Sequence, residues 1–273
     1  MPRQSRNLVE VKVIDCAGTI IINRADHENR LTRSMVGQLS DAIDDLYREK
    51  AVRAIILTGA GETFCAGIDL HELGVRDTSS ASPSMDNLRV AQQRWGDDAA
   101  AFRDLIVHML EISKPIIASV NGPALSAGAG LVAASDIVVA SESASFGVPD
   151  PHFGLVAGVV APLVCHRVAT GLASRLLLTG VTLGATEAHR LGLFHELVDP
   201  LKAWARAMEL AHLCAAGAPE AMQLTKRLLN ETVGEHLPTQ LAVGAALQAT
   251  SCTTEAAQDG IAAFLEQRPP QWK

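Results

Sequence analysis

No C-x-x-C pair occurs in this chain, and its five cysteines (Cys16, Cys65, Cys165, Cys214 and Cys252) are odd in number and widely spaced. That spacing indicates neither a zinc site nor a disulfide framework, so no metal is expected and a cytoplasmic, reducing location fits best. The opening MPRQSRNLVE lacks the apolar core of a signal peptide, and no apolar run reaches membrane-spanning length. Lys and Arg number 23 against 30 Asp and Glu, a net charge of −7, and no basic cluster is long enough to track a phosphate backbone. Nucleic acid and membrane are therefore not expected as partners. An anionic small ligand would need only a few local cations. Aromatic residues amount to 4%, and neither an internal repeat nor a low-complexity segment is present.

What remains is 48% hydrophobic and 19% charged, with alanine, leucine and valine prominent, a globular and helix-rich composition. A length of 273 residues suits one α/β domain, or one with an appendage, and can bury a large core. Val9–Val13 and Thr19–Asn23 read as a hairpin around the Asp15–Gly18 turn. Thr32 is a candidate N-cap for a helix to about Lys50, with Met35, Leu39, Ile43 and Leu46 on one face. Arg53–Thr58 is a buried-strand pattern. The polar residues 74–86 read as a mobile surface loop, and a long helix over about Asn87–Ile112 follows, with Leu88, Ala91, Trp95, Ala99, Phe102, Ile106 and Met109 along its apolar stripe. Strand–helix alternation of this kind implies right-handed crossovers and a mainly parallel sheet.

Short strands are expected at Ile137–Ala140 and Ser145–Gly147, then an irregular loop Val148–Gly158, then helices near Val159–Ala169, Ala173–Leu178 and Thr186–Leu191, the last capped by Gly192. From Pro200 onward only helical segments are expected, at about 201–216, 219–232, 236–250 and 253–267. The expected division is a core over 1–199 and a helical region over 200–273.

The most informative stretch is Asn121–Asp136, NGPALSAGAGLVAASD, which follows the apolar run Pro115–Val120. A buried strand there ends in a turn of small residues that feeds directly into a helix. Ser126, Ala127, Gly128 and Ala129 leave the backbone unshielded, so a ligand could reach the first free N–H groups, where the helix dipole favours negative charge. Oxyanion holes are commonly built this way. The same residues would also let the helix pack close to the sheet, and the stretch alone leaves both readings open.

Taken together, Arg53–Gly59, Phe64-Cys-Ala-Gly-Ile-Asp-Leu70 and Lys114-Pro-Ile-Ile-Ala-Ser-Val-Asn-Gly122 resemble the enoyl-CoA hydratase/isomerase (crotonase) family. The likeness continues through Asp136–Ala140, Ser145-Phe-Gly147, Leu178-Thr-Gly180 and Phe264–Pro270, nearly the whole chain in the family's order. The resemblance implies an α/β fold, a spiral of ββα units with a helical C-terminal region that builds trimers, often paired into hexamers. It implies an acyl-CoA thioester as ligand and no further cofactor, coenzyme A being part of the substrate. It also implies that the backbone N–H groups of Ile68 and Ala127 hold the thioester oxygen, with Ala66, Ile68, Asp69, Leu70, His71, Ala127 and Gly130 around the substrate. Loss of one such donor typically costs about 10²–10³ in rate.

The acid and base positions depart from the family's hydratases. Their first glutamate falls at Gly130, which cannot carry a proton, and their second at Asp150, which keeps the carboxylate on a shorter arm. One carboxylate in the loop with a non-acidic helix residue resembles the Δ3,Δ2-enoyl-CoA isomerases, where a single base shuttles a proton. His152 is a second candidate, since Pro151-His-Phe153 resembles the family's β-diketone hydrolases, although Gly158 and Val159 offer no partner carboxylate. Arg24, Lys226, Arg227, Arg268 and Lys273 are candidate cations for the CoA phosphates, and Asp136 and Glu142 are read as structural. Three activities stay open: double-bond isomerisation or hydration through Asp150, C–C hydrolysis through His152, or acyl-CoA binding without catalysis.

Overall fold

A computed structural model describes residues 7–74, 85–234 and 236–272. The hairpin forms as β1 (Val9–Ile14) and β2 (Ala17–Ile22), paired antiparallel. Helix α1 (Arg33–Arg48) starts at Thr32, whose side chain accepts the Met35 N–H as the N-cap pattern requires. Strand β3 (Ala54–Gly59), the short helix α2 (Leu70–Leu73), the long helix α3 (Met85–Glu111) and strand β4 (Ile116–Val120) follow. The expected surface loop falls largely on residues 75–84, outside the described residues. Then come β5 (Pro123–Leu125), α4 (Ala127–Ala134), β6 (Ile137–Ser141) and β7 (Ser145–Gly147).

Helices α5 (Val160–Arg167) and α6 (Thr170–Thr179) lead to β8 (Thr182–Gly184), α7 (Ala185–Arg190) and β9 (Glu196–Val198). Gly192 follows α7 at φ 80°, the left-handed position expected of it. The remaining elements are α8 (Ala203–Ala215), α9 (Pro219–Gly234), α10 (Leu237–Ser251) and α11 (Glu255–Leu265).

The main sheet has the order β1-β2-β3-β4-β6-β9, parallel throughout except for the hairpin. A smaller sheet, β5-β7-β8, lies beside it. β4 and β5, and likewise β6 and β7, are consecutive strands that each give one member to each sheet, and β5 is followed at once by a helix. That is the ββα spiral the resemblance implied.

Strands buried on both faces read as continuous apolar runs, and β3 shows why. Ile55 and Leu57 point into the main core with α1, α3 and α4, while Ala54 and Ile56 point the other way, onto Ala207, Met208 and Ala211 of α8. The C-terminal helices thus complete the core. The stripe of α3 is buried at Ala91, Trp95, Ala99, Phe102, Ile106 and Met109, as its spacing predicts.

Three elements exceed what the pattern predicted. β5, β8 and β9 are three-residue strands, too short to carry a period of two. No helix among the described residues is long and apolar enough to cross a membrane.

Candidate functional site: a buried carboxylate beside two free backbone donors

The site forms where two loops cross. In the first, Leu31 donates to the Gly67 carbonyl at 2.8 Å and accepts from Asp69 N–H at 2.9 Å, so the N–H of Ile68 between them points away. In the second, Cys65 donates to Pro123 O at 3.1 Å and Leu125 donates to Cys65 O at 2.9 Å. Asn29 ties the first loop down with Nδ2 bonds to the carbonyls of Ala60 and Thr63 at 2.9 and 2.6 Å.

Two glycines allow the segments to touch. Gly67 sits at φ 105°, and a Cβ on it would stand 2.8 Å from Ser126 Cβ. A Cβ on Gly128 would overlap the Cys65 carbonyl. Residues 65–68 and 125–128 therefore pack backbone to backbone. Among the described residues, no acceptor takes the N–H of Ile68 or of Ala127. Ala127 opens α4, where an unpaired N–H and the helix dipole coincide.

Asp150 reaches the same place from the other side. β7 pairs with β5 so that Leu125 faces Gly147, and Ser126 N–H donates to Gly147 O at 2.9 Å. The chain then enters a 3₁₀ turn, Asp150–Phe153, in which the Asp150 carbonyl accepts from Gly154 and Leu155. The side chain is buried. Ser126 Oγ donates to Oδ1 at 2.8 Å, while Oδ2 is buried without a hydrogen-bond partner. Burial pushes the carboxyl up from an ordinary aspartate's 3.8 to about 6, against the opposing pull of the Ser126 hydroxyl.

A cavity of about 220 Å³ opens here, lined by Ala66, Ile68 and Leu70, by Ser126 and Asp150, and by side chains from three helices. Trp95 from α3, Cys252 just past α10 and Phe264 from α11 form apolar wall, with Phe153 edge-on to Phe264 at 5.6 Å between centroids. Trp95 is locked by its indole N–H to Leu73 O at 2.9 Å. Two other acids reach the lining and both are paired. Asp98 is held in two contacts by Arg33, at 2.5 and 2.7 Å, and Glu28 pairs with Arg30, which lies over Phe264. Asp150 is the acid there with a free oxygen.

The remaining sequence-based candidates separate from it. Gly130 is buried away from the lining, and a Cβ on it would stand 3.1 Å from Val160 Cγ2 and 3.3 Å from Phe102 Cζ, a tight fit that needs those side chains to give way by a few tenths of an ångström. Asp69 is buried in an ion pair with Arg24 at 2.8 Å, and it caps α2 by accepting from His71 N–H. His71 is exposed on α2 and outside the lining.

His152 is exposed, with its ring against Gly180 rather than toward Asp150 or the cavity. The 3₁₀ turn sends residues two apart in different directions, so Asp150 does not orient the imidazole. Its expected place as a base in the cavity is corrected by this orientation.

The candidate phosphate cations are also engaged elsewhere. Lys226 is buried, held by Asp136 at 2.8 Å and by the carbonyls of Met109 and Lys114 at 2.9 and 3.2 Å. It is a structural lysine, which corrects its reading as a ligand cation. Asp136 also accepts the Ile116 N–H at 2.7 Å, the structural role expected of it. Arg227 pairs with Glu231, and Arg268 with Asp259 and Glu266. Lys273 lies outside the described residues. Arg30, which sequence reasoning passed over, is the cation in the cavity lining.

Comparison with known proteins agrees with this architecture. A family model described as "Enoyl-CoA hydratase/isomerase" matches residues 16–273. A putative enoyl-CoA hydratase of Thermus thermophilus is 36% identical over 253 residues, 93% of this chain and 96% of that protein. The 1,2-epoxyphenylacetyl-CoA isomerase of Escherichia coli is 31% identical over 255 residues, covering 93% and 94%. Among solved structures, carnitinyl-CoA hydratase from Mycobacterium avium superposes with a TM-score of 0.81 at 30% identity, over 98% of this chain and 99% of that one. The similarity to the solved structure extends over nearly the whole length of both chains, so the fold is shared. The chain belongs to the enoyl-CoA hydratase/isomerase family.

Proposed function

We propose that this protein isomerises the double bond of an enoyl-CoA thioester, with one carboxylate moving the proton. The observation that carries the proposal is Asp150: buried in the cavity wall, held at Oδ1 and free at Oδ2. The thioester oxygen sits between the N–H groups of Ile68 and Ala127, which stabilise the charge that develops on it. Asp150 Oδ2 takes a proton from C2 of a 3-enoyl thioester, and the electron pair delocalises into the thioester carbonyl and the double bond. The same proton is returned at C4, leaving the 2-enoyl thioester and a regenerated carboxylate. A base titrating near 6 is ionised at neutral pH yet still accepts a proton readily. Adding water by the two-acid route would need a second carboxylate, and glycine at position 130 supplies none.

The Escherichia coli relative is named as an isomerase of an epoxide-bearing CoA ester and the Thermus thermophilus relative as a putative hydratase, so both names support a CoA thioester as the substrate. The apolar and aromatic wall favours an uncharged acyl group. The exposed Leu224, Leu228 and Leu229 of α9 and Leu247 of α10 support assembly into trimers through the C-terminal helices.

The test is direct. Purified protein should convert 3-enoyl-CoA into conjugated 2-enoyl-CoA, followed by the absorbance of the conjugated thioester, and Asp150→Asn should lower the rate at least 10³-fold, an order-of-magnitude expectation for removing the one proton carrier. Binding of the thioester without conversion, or an undiminished rate in the variant, refutes the proposal.

A further inference from the structure

Ser126 combines two features that oppose each other. Its backbone lies at φ 51°, ψ −119°, a region open to glycine and unfavourable for a residue with a Cβ. It also stands against Gly67, where space is so short that a second Cβ would come within 2.8 Å. A glycine at 126 would relieve the backbone strain and would not depend on the bare approach of Gly67. The hydroxyl is what glycine cannot supply, and that hydroxyl donates to Asp150 Oδ1 at 2.8 Å.

We propose that Ser126 is a positioning residue: its hydroxyl grips one carboxylate oxygen of Asp150 so that the other faces the reacting carbons, and the strained backbone is retained for that grip. The inference rests on the reading of Asp150 as proton carrier. Asp150 has no other side chain holding its head group among the described residues. The charged groups of the cavity are engaged with one another, Glu28 with Arg30 and Asp98 with Arg33, and His152 on the same turn faces Gly180. Without Ser126 the short aspartate arm would be free to rotate about χ1 and χ2. A misplacement of about 1 Å costs roughly 10²-fold in rate when geometry is tight.

The backbone strain and the catalytic benefit predict opposite signs for one substitution. Ser126→Gly should unfold at the same temperature as the wild type or higher. Its kcat for 3-enoyl-CoA should fall about 10–100-fold with KM changed less than about threefold. The hydroxyl favours the ionised carboxylate, so its removal moves the acid limb of the kcat profile to higher pH. The Asp150 carboxyl resonance, assigned by its loss in Asp150→Asn, should titrate at higher pH too. Ser126→Ala should show the same catalytic loss without the gain in stability. An unchanged Asp150 titration in Ser126→Gly overturns the inference, as does an unchanged kcat. If instead Asp150→Asn keeps its activity, the assignment of Asp150 fails, while the titration still decides whether Ser126 holds it.

Discussion

Replacing Asp150 by asparagine should make the protein inactive and raise its stability relative to the wild type as pH rises from 4 to 6, a pH dependence that follows from burial. The carboxyl titrates near 6 in the folded protein and near 3.8 when unfolded. Between about pH 4 and pH 6 the folded wild type keeps a proton that the unfolded chain has released, so stability falls as pH rises through that window. Each pH unit contributes 1.36 kcal/mol per proton, about 3 kcal/mol across the window. Below about pH 4 both states are protonated, and above about pH 6 both are ionised, so the effect levels off at each end.

Asparagine carries no charge to desolvate, and its carbonyl can still accept from the Ser126 hydroxyl. Its amide group adds a contribution that does not vary with pH and cancels when conditions are compared. Urea unfolding of wild type and variant, at one protein concentration and at several pH values from 4 to 8, measures the difference. The variant should gain about 3 kcal/mol relative to the wild type from the low to the high end. A difference that stays constant with pH would show that Asp150 is not buried as an uncompensated carboxylate.

Two further expectations concern packing and assembly. Gly158→Ala should lower the unfolding temperature by several degrees, because a Cβ there would overlap the Gly244 carbonyl where the segment before α5 meets α10, and overpacking of this kind costs about 1–3 kcal/mol; a calorimetric scan with an unchanged midpoint would refute so close a contact. Light scattering should give about three times the chain mass of 28.9 kDa, and Leu228→Glu should reduce it toward one, since Leu228 is 63% exposed in the single chain; a wild-type monomer would refute assembly through this surface.

Much of the architecture was legible locally. The face of α1, the Thr32 cap and the stripe of α3 follow from side-chain spacing, which depends only on the 3.6-residue period of the helix. The buried runs of β3 and β4 read correctly because both of their faces are covered. The three-residue strands β5, β8 and β9 were not legible, since their pairing comes from neighbours distant in sequence. The small-residue turn at 125–128 was visible as a stretch able to expose its backbone. That it meets residues 65–68, with Gly67 and Gly128 giving way, required the crossing of two loops.

The same division holds within the site. Residue order was enough to place a carboxylate at Asp150 and none at Gly130, and so to limit the acid and base inventory. It put Asp150 first but left His152 as a second candidate, because two residues on one turn can face opposite ways, and here one enters the cavity while the other lies on Gly180. Nor could it free or engage a cation: Lys226 meets Asp136, 90 positions earlier in the chain. Charge and spacing along the chain name the groups that chemistry can use. Which of them is dry, paired or free is set by what folds against it, and for Asp150 that is a serine 24 residues away.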